Sequence, residues 1–448
     1  MDRAPLRAHG GAVTLSPSES VSIAHGEHRL PGRGAFGFWA AGATYLVLLA
    51  GTNVPTPLYR TYQVSFGFGD ATLTAVFAVY VAALIPSLLV AGPLADAVGR
   101  RTVLVPAIAL AAAGAALLAA AQGTAWLYVG RLVQGLALGA ASGAVTALLV
   151  EREPRGDRRR GAMVAALAAV AGVGFGPLLG GVVAQYLPEP TVLPYLVEIA
   201  LLLAALIATA TTPDTRATTS YRPRRPSVPA EIRAVFVTSG ATSFVTWAVT
   251  AIFLTLVPTY AATFTHSANL ALDGAVVAIL FACSGATQRA ASKRGAVACE
   301  RFGLLSLIGG LGLLVGAGVA SSIWLLLAAS VVAGVGQGLA FLGTMTEING
   351  AAPPDRHAEI LSGFYVVTYL GTGIPVIGVG FLAGALGLLR AVEVFSAGAS
   401  VAAAVLFLVL TARLSAIAVP RARLARRTEP TASQGPTRQR RRHGARPR

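Results

Sequence analysis

Runs of about 20 apolar residues recur along the whole chain, separated by short polar or charged connections. Twenty helical residues rise about 30 Å, the thickness of a bilayer's hydrocarbon core, so each run is long enough to cross a membrane as one helix. The pattern predicts spans 1 to 6 at 37–57, 72–95, 102–121, 126–149, 161–186 and 191–212. Spans 7 to 12 follow at 234–262, 269–288, 302–320, 323–345, 360–384 and 390–412. The fold class is therefore an all-α membrane protein with twelve transmembrane helices. The glycine-rich spans 5 and 11 are the least regular. The first apolar run begins near Phe36 and is long enough to span, so it reads as a retained helix and not a cleaved signal.

Composition agrees with this pattern and removes the soluble alternative. Of 448 residues, 55% are hydrophobic and 12% charged, and the mean hydropathy is +0.68. A globule has no interior large enough for that much apolar surface. The formal charge of +16 does not point to nucleic acid, because the basic residues are divided among tails and short connections and no nucleic-acid-binding signature accompanies them. Their placement instead sets orientation, since cytoplasmic connections retain Lys and Arg. With both termini cytoplasmic, Arg100, Arg101, Arg152, Arg155, Arg158 to Arg160, Arg222, Arg224, Arg225, Lys293, Arg294 and Arg356 all fall inside. Arg60 and Arg390 fall outside, and Arg131 lies within a span. The location expected is the plasma membrane.

The connections divide the chain. Residues 1–35 read as a polar, disordered tail, 36–212 as a first six-helix bundle, 213–232 as a Pro- and Arg-rich tether, 233–412 as a second bundle, and 413–448 as a basic tail. Each basic residue of that last tail adds roughly 1 kcal/mol of attraction to an anionic lipid surface. The two cysteines, Cys283 and Cys299, do not suggest a disulfide framework. No metal-ligand cluster, phosphate-cradling loop or hydrolytic constellation is apparent, so neither an enzyme, a cofactor nor ATP drive is expected.

An internal repeat supports the division. Gln134-Gly-Leu-Ala137 in span 4 recurs as Gln337-Gly-Leu-Ala340 in span 10, and Pro177 with Gly180 in span 5 recurs as Pro375 with Gly378 in span 11. Asp157-Arg158 answers to Asp355-Arg356, and Glu198 of span 6 roughly to Glu393 of span 12. The offsets, near 200 residues, describe two six-helix halves.

The densest chemistry lies between spans 2 and 3, in Gly92-Pro-Leu94-Ala-Asp96-Ala-Val-Gly99-Arg100-Arg101. Two glycines permit a tight turn, and the acid is placed to accept a hydrogen bond or pair with a base. This pattern, G-x-L-x-D-x-x-G-R-R, resembles the loop between helices 2 and 3 of the major facilitator superfamily of secondary transporters. The resemblance implies two pseudo-symmetric bundles with a substrate site between them near the bilayer midplane. It also implies that Asp96 braces a cytoplasmic gate against the start of span 11 in the outward-open state. The second-half counterpart, Gly285 to Arg294, has Arg289 where the acid would stand, so the gate is expected to be asymmetric.

Two further motifs extend the resemblance. Arg131-Leu-Val-Gln134-Gly135 is similar to the superfamily's R-x-x-Q-G pattern in helix 4. An arginine at a span's centre costs roughly 3 kcal/mol on insertion scales and so faces a wet or paired environment, or else snorkels to an interface. Gly172, Gly176, Pro177, Gly180 and Gly181 in span 5 resemble a motif of the drug:proton antiporter branch. Small residues at that spacing allow close helix contact, and the proline favours a kink.

The coupling residue stays open. Span 1 has Asn53, Pro55 and Pro57 but no acid, unlike antiporters that pair a carboxylate there with the span-4 arginine. The coupling candidates are Arg131, Gln134, Glu198 and Glu393, with Glu347 and Asp273 at helix ends. Glu198 and Glu393 also suit the N-terminal dipoles of their helices. Candidates for the substrate cavity are Asn53, Trp247, Tyr260, Gln337, Phe341, Tyr365 and Tyr369, aromatic and amide groups suited to large, mostly apolar or cationic compounds. The resemblance implies a monomeric transporter exporting drugs or small organic metabolites in exchange for protons. A metabolite importer or facilitator of the same fold is the alternative, and a non-transporting membrane sensor or scaffold is the alternative of another class.

Overall fold

A computed structural model describes residues 31–212, 228–258, 260, 269–353 and 356–427, with the backbone alone for 31–34, 358 and 414–427. Twelve helices long and apolar enough to cross a membrane are present among these residues. Span 2 is Asp70–Val98, span 3 Arg100–Ala119, span 4 Thr124–Glu151, span 5 Arg158–Tyr186 and span 6 Leu193–Ala210. Span 7 is Arg233–Thr255, span 8 Leu270–Ala291, span 9 Ala296–Val319, span 10 Ile323–Ala351, span 11 His357–Leu386 and span 12 Leu388–Arg427. Most of the tether expected at 213–232 and the outer parts of both expected tails, 1–30 and 428–448, lie outside the described residues. Helix nevertheless begins at Pro31 and continues to Arg427, so each tail starts later or ends sooner than composition implies. Residues 413–427 are rich in Ala, Leu and Arg, which favour helix, although Pro420 lies among them.

Span 1 departs from the unbroken helix expected at 37–57. It runs Pro31–Gly51, turns through a 3₁₀ segment at Thr56–Leu58, and resumes as Tyr59–Phe66. Pro55 and Pro57 have no N–H, so the regular ladder cannot continue past Gly51. Thr56 donates to Asn53 instead of Thr52, so the Thr52 carbonyl has no backbone partner and the Gly51 carbonyl accepts only from Val54 N–H, at 3.3 Å.

Spans 1–6 pack together and spans 7–12 pack together, and the two groups meet through spans 2 and 11 and through spans 5 and 8. The motif glycines of span 5 serve both jobs. A Cβ at Gly172 would lie 2.5 Å from the Leu46 carbonyl, and at Gly176 and Gly180 it would overlap the carbonyls of Ala50 and Val54, one helical turn apart along span 1. Gly181 faces the Leu270 carbonyl of span 8, while Gly274 of span 8 faces the Pro177 carbonyl.

The N-terminal end of span 1 and the charged end of span 12 lie at the hinge end of the molecule: Arg160 sits over Phe38, and Arg413 donates to Thr238 at the start of span 7. At the opposite end the halves are closed. Leu270 N–H donates to Gln185 of span 5 at 2.8 Å, and Gly380 of span 11 packs against Thr74 of span 2. At the hinge end, Gly92 has open space where a side chain would lie.

Candidate functional site

The break in span 1 creates the site. A helix that stops inside the apolar layer leaves carbonyls that need donors, because no water is there to supply them. Asn53 Nδ2 donates to Leu49 O at 2.8 Å and to Thr52 Oγ1 at 3.1 Å, tying the turn to itself. Arg131 of span 4 donates to Thr52 O at 2.5 Å and to Gln134 Oε1 at 2.9 Å. Gln134 Nε2 lies 3.4 Å from both the Gly51 carbonyl and Glu198 Oε1 of span 6. The chain of contacts thus runs from the broken helix end through a guanidinium and an amide to a carboxyl group.

All three side chains are closed off, with Arg131 1%, Gln134 1% and Glu198 2% exposed. Arg131 also stacks beneath Tyr80, 4.5 Å from its ring centre, with Phe77 at 5.6 Å, both on span 2. Its Nε and the Glu198 Oε2 have no hydrogen-bond partner. The snorkelling alternative for Arg131 is therefore not what the structure shows. Glu198 fits because Gly51 has no side chain: a Cβ there would overlap the carboxyl. The acid absent from span 1 is thus presented to the same arginine-bearing turn from span 6.

The other sequence candidates separate. Glu393 pairs with Arg390 at 3.3 Å in the first turn of span 12 and does not join Arg131 or Gln134. Tyr260 is buried against span 9, its hydroxyl donating to Leu314 O at 3.4 Å beside Gly318, so it does not belong to the lining between halves. Gln337 accepts from Ser284 of span 8, and Asn53 closes the span-1 turn. Trp247 of span 7 meets Phe341 of span 10 edge-to-face at 5.6 Å, and its indole nitrogen is buried without a partner. Tyr365 and Tyr369 of span 11 lie 6.5 Å apart, and Tyr369 is near enough to Tyr80 and Tyr45 of the first half to interact with them. Tyr45 of span 1, missed in the sequence, lies within electrostatic range of Tyr80, Tyr365 and Tyr369.

At the hinge, Asp96 pairs with Arg100 four residues on, and Arg100 reaches Glu151 of span 4 at 3.2 Å. Arg101 donates to the Thr212 carbonyl at 3.2 Å. Gly99 alone separates spans 2 and 3 and takes φ +103°, a conformation that favours glycine. Leu94 lines a groove of about 390 Å³ between spans 2 and 3, with Val98, Thr102, Pro106 and Leu110. In this state, closed at the far end, the hinge acid is held within its own half and not against span 11. Among the described residues no group of three or more His, Cys, Asp or Glu is placed to hold a metal.

Comparison with known proteins fits this architecture. A family model described as Major Facilitator Superfamily matches residues 41–308, more than half of the chain. "Multidrug resistance protein MdtL" of Escherichia coli O45:K1 is 30% identical over 162 residues, 35% of this chain and 41% of that protein. MdtL of Klebsiella pneumoniae is 32% identical over 124 residues, covering 27% and 31% respectively. The match thus spans less than half the length of these relatives. Among solved structures, an inward-facing bacterial homolog of the human lysosomal transporter Spinster superposes with a TM-score of 0.70 at 14% identity, covering 86% of this chain and 98% of that one. A peptide transporter, POT, gives 0.71 at 17% over 86% and 95%, and the nucleoside transporter NupG 0.66 at 15% over 84% and 99%. From the family match and twelve membrane-crossing helices in this arrangement, the chain belongs to the major facilitator superfamily, as a multi-pass membrane transporter and not an enzyme.

Proposed function

We propose that this transporter exports drugs or other small organic molecules in exchange for protons, by alternating access between the bundles 36–212 and 233–412. The observation that carries the reading is the buried contact of Glu198 with Gln134, beside Arg131 and the broken end of span 1. A carboxyl so placed can take up a proton when its surroundings open and return it when they close. Glu198 supplies from span 6 the acid that span 1 lacks, which weakens the motive for a metabolite importer. The aromatic pair Trp247 and Phe341 and the tyrosines 45, 80, 365 and 369 offer flat apolar faces suited to organic cations. The multidrug-resistance name of the MdtL relatives points the same way.

The orientation that goes with this function places the hinge and both termini in the cytoplasm of a plasma-membrane protein, with anionic lipid near the basic tail and the monomer as the working unit. The state described, closed at the far end, is then the inward-facing one. The test is uptake of a fluorescent lipophilic cation by proteoliposomes of the full chain with and without an imposed pH gradient. Wild-type transport should follow the gradient, and Glu198→Gln should bind the dye yet lose the gradient dependence. Gradient-independent transport by the wild type, or gradient dependence retained in the variant, defeats the proposal.

A further inference from the structure

The second half holds a different pair of acids, one buried and one partly exposed, away from the Arg131 site. Glu300 on span 9 is fully buried, packed against Gly343 of span 10, where a Cβ would approach its side chain to 2.6 Å. Ser239 of span 7 stands between Glu300 and Glu347 of span 10: its Oγ is 3.2 Å from Glu300 Oε1 and 2.9 Å from Glu347 Oε2. Arg413 of span 12 lies 3.6 Å from Glu347 Oε2. Thr242, one turn along from Ser239, adjoins the Glu300 carboxyl, and its hydroxyl oxygen and Glu300 Oε2 are both buried without a hydrogen-bond partner. Arg301, the nearest cation on span 9 itself, is turned over the Phe407 ring at 4.9 Å.

Counting hydrogens decides what this cluster needs. A serine hydroxyl has one hydrogen, and an ionised carboxylate has none to give. Ser239 therefore donates to one glutamate only, and its short contact with the other is a hydrogen bond only if that glutamate carries a proton of its own. Charge gives the same answer, since two carboxylates face a single guanidinium. Arg413 favours the ionised form at Glu347, which leaves Glu300 as the proton's site.

We propose that Glu300 and Glu347 hold one proton between them through Ser239, forming a proton relay in the second half that is distinct from the Glu198 site. In the resting arrangement Glu300 donates to Ser239 Oγ and Ser239 donates to Glu347. Loading runs the other way. A proton reaching Glu347, the more exposed acid, is given to Ser239 Oγ as the serine passes its own hydrogen to Glu300 Oε1. One proton enters, no other atom is exchanged, and the pair goes from two negative charges to the single one that stands opposite Arg413. The relay joins spans 7, 9, 10 and 12 at the hinge end, so its protonation bears on how that end of the second bundle holds together.

Infrared difference spectra of the full chain in nanodiscs, recorded as pH is stepped without substrate, test this independently of any transport assay. A protonated-carboxyl band should be lost in Glu300→Gln, retained in Glu198→Gln, and shifted in frequency in Ser239→Ala. A Glu300→Gln spectrum keeping every wild-type carboxyl band overturns the proposal. If that variant does not fold, an unshifted spectrum in Ser239→Ala overturns it equally. A wild-type cluster that shows no protonated carboxyl but responds to added sodium at fixed pH also overturns it, in favour of a metal cation.

Discussion

Gln134 and Glu198 meet at 3.4 Å across spans 4 and 6, and the amide nitrogen that faces the carboxyl lies equally close to the Gly51 carbonyl. Two hydrogens on one nitrogen thus connect the acid to the broken helix. Gln134→Leu should strand the Glu198 carboxyl oxygen, at about 1–3 kcal/mol when buried, leave the Gly51 carbonyl with Val54 N–H alone, and also remove the acceptor for Arg131. Because the groups share partners, Gln134→Leu and Glu198→Gln should be non-additive in thermal stability. A double-mutant cycle read by melting in detergent checks this; a coupling of zero would mean the contact is incidental.

The glycines of span 5 and span 8 should separate two kinds of defect. Gly274 faces the Pro177 carbonyl across the halves, so Gly274→Ala forces them apart at the closed end. Overpacking of this kind costs about 1–3 kcal/mol, enough to move the population roughly tenfold toward the state open at that end, as about 1.4 kcal/mol is a factor of ten. Gly176→Ala meets Ala50 within one half and should lower the melting temperature without changing the population. Distances between spin labels on the two halves at that end distinguish the cases.

The spans were legible because length and apolar continuity alone determine what crosses a bilayer, and the hinge was legible because Gly99 needs its unusual φ. What the sequence hid were side-chain destinations. Glu198 and Glu393 are equivalent by the repeat, yet one finds Gln134 in the bundle and the other Arg390 in its own first turn. Tyr260 looked suited to a cavity, but the space for it is made by Gly318 on span 9. Glu300 falls outside the span expected at 302–320, because Glu300 and Arg301 interrupt the apolar run. The helix in fact starts at Ala296, and only the bare backbone at Gly343 lets the acid in. Pro55 and Pro57 carry the signal for the break after Gly51, which the continuous apolar run masks, and the donors that complete it, Arg131 and Gln134, stand 79 and 83 residues from their acceptors.

Glu153 closes the turn between spans 4 and 5, accepting from the N–H groups of Arg155 at 2.7 Å and Asp157 at 2.8 Å and from Arg160 at 2.7 Å. Burial by itself would raise this carboxyl, but the two backbone donors and the Arg160 guanidinium outweigh it and hold it below the usual carboxylate range. A depressed acid contributes stability that is fully present above its unfolded value, near 4.5, and is lost as pH falls through the folded one. Glu153→Gln should therefore melt lower than wild type at pH 7, with the gap closing below about pH 4. A constant gap across that range would show that charge is not the cause.

Asp96 is partly exposed and paired locally with Arg100 in this state, a geometry that contributes at most about 1 kcal/mol. Asp96→Asn should thus leave the melting temperature nearly unchanged. If the acid braces the gate when the molecule turns over, the same substitution should deplete the outward-open population. Reactivity of cysteines engineered at the far end reports that population, and an unchanged distribution removes the gate role.

Trp247 provides the sharpest probe of substrate contact. Its indole N–H is buried without an acceptor while its ring is fixed by Phe341 at 5.6 Å, so a donor is held ready between spans 7 and 10. Trp247→Phe keeps an aromatic ring at that position and removes the N–H together with part of the indole's packing, a loss that any ligand shares. A bound organic cation carrying a carbonyl or ether oxygen should then lose about 1 kcal/mol, roughly fivefold in affinity. Its analogue with a methylene in place of that oxygen never used the donor and should show only the shared packing loss, so the oxygen-bearing ligand should lose more. Titration calorimetry with the matched pair makes the comparison, and equal losses for both ligands would show that the tryptophan acts through packing alone.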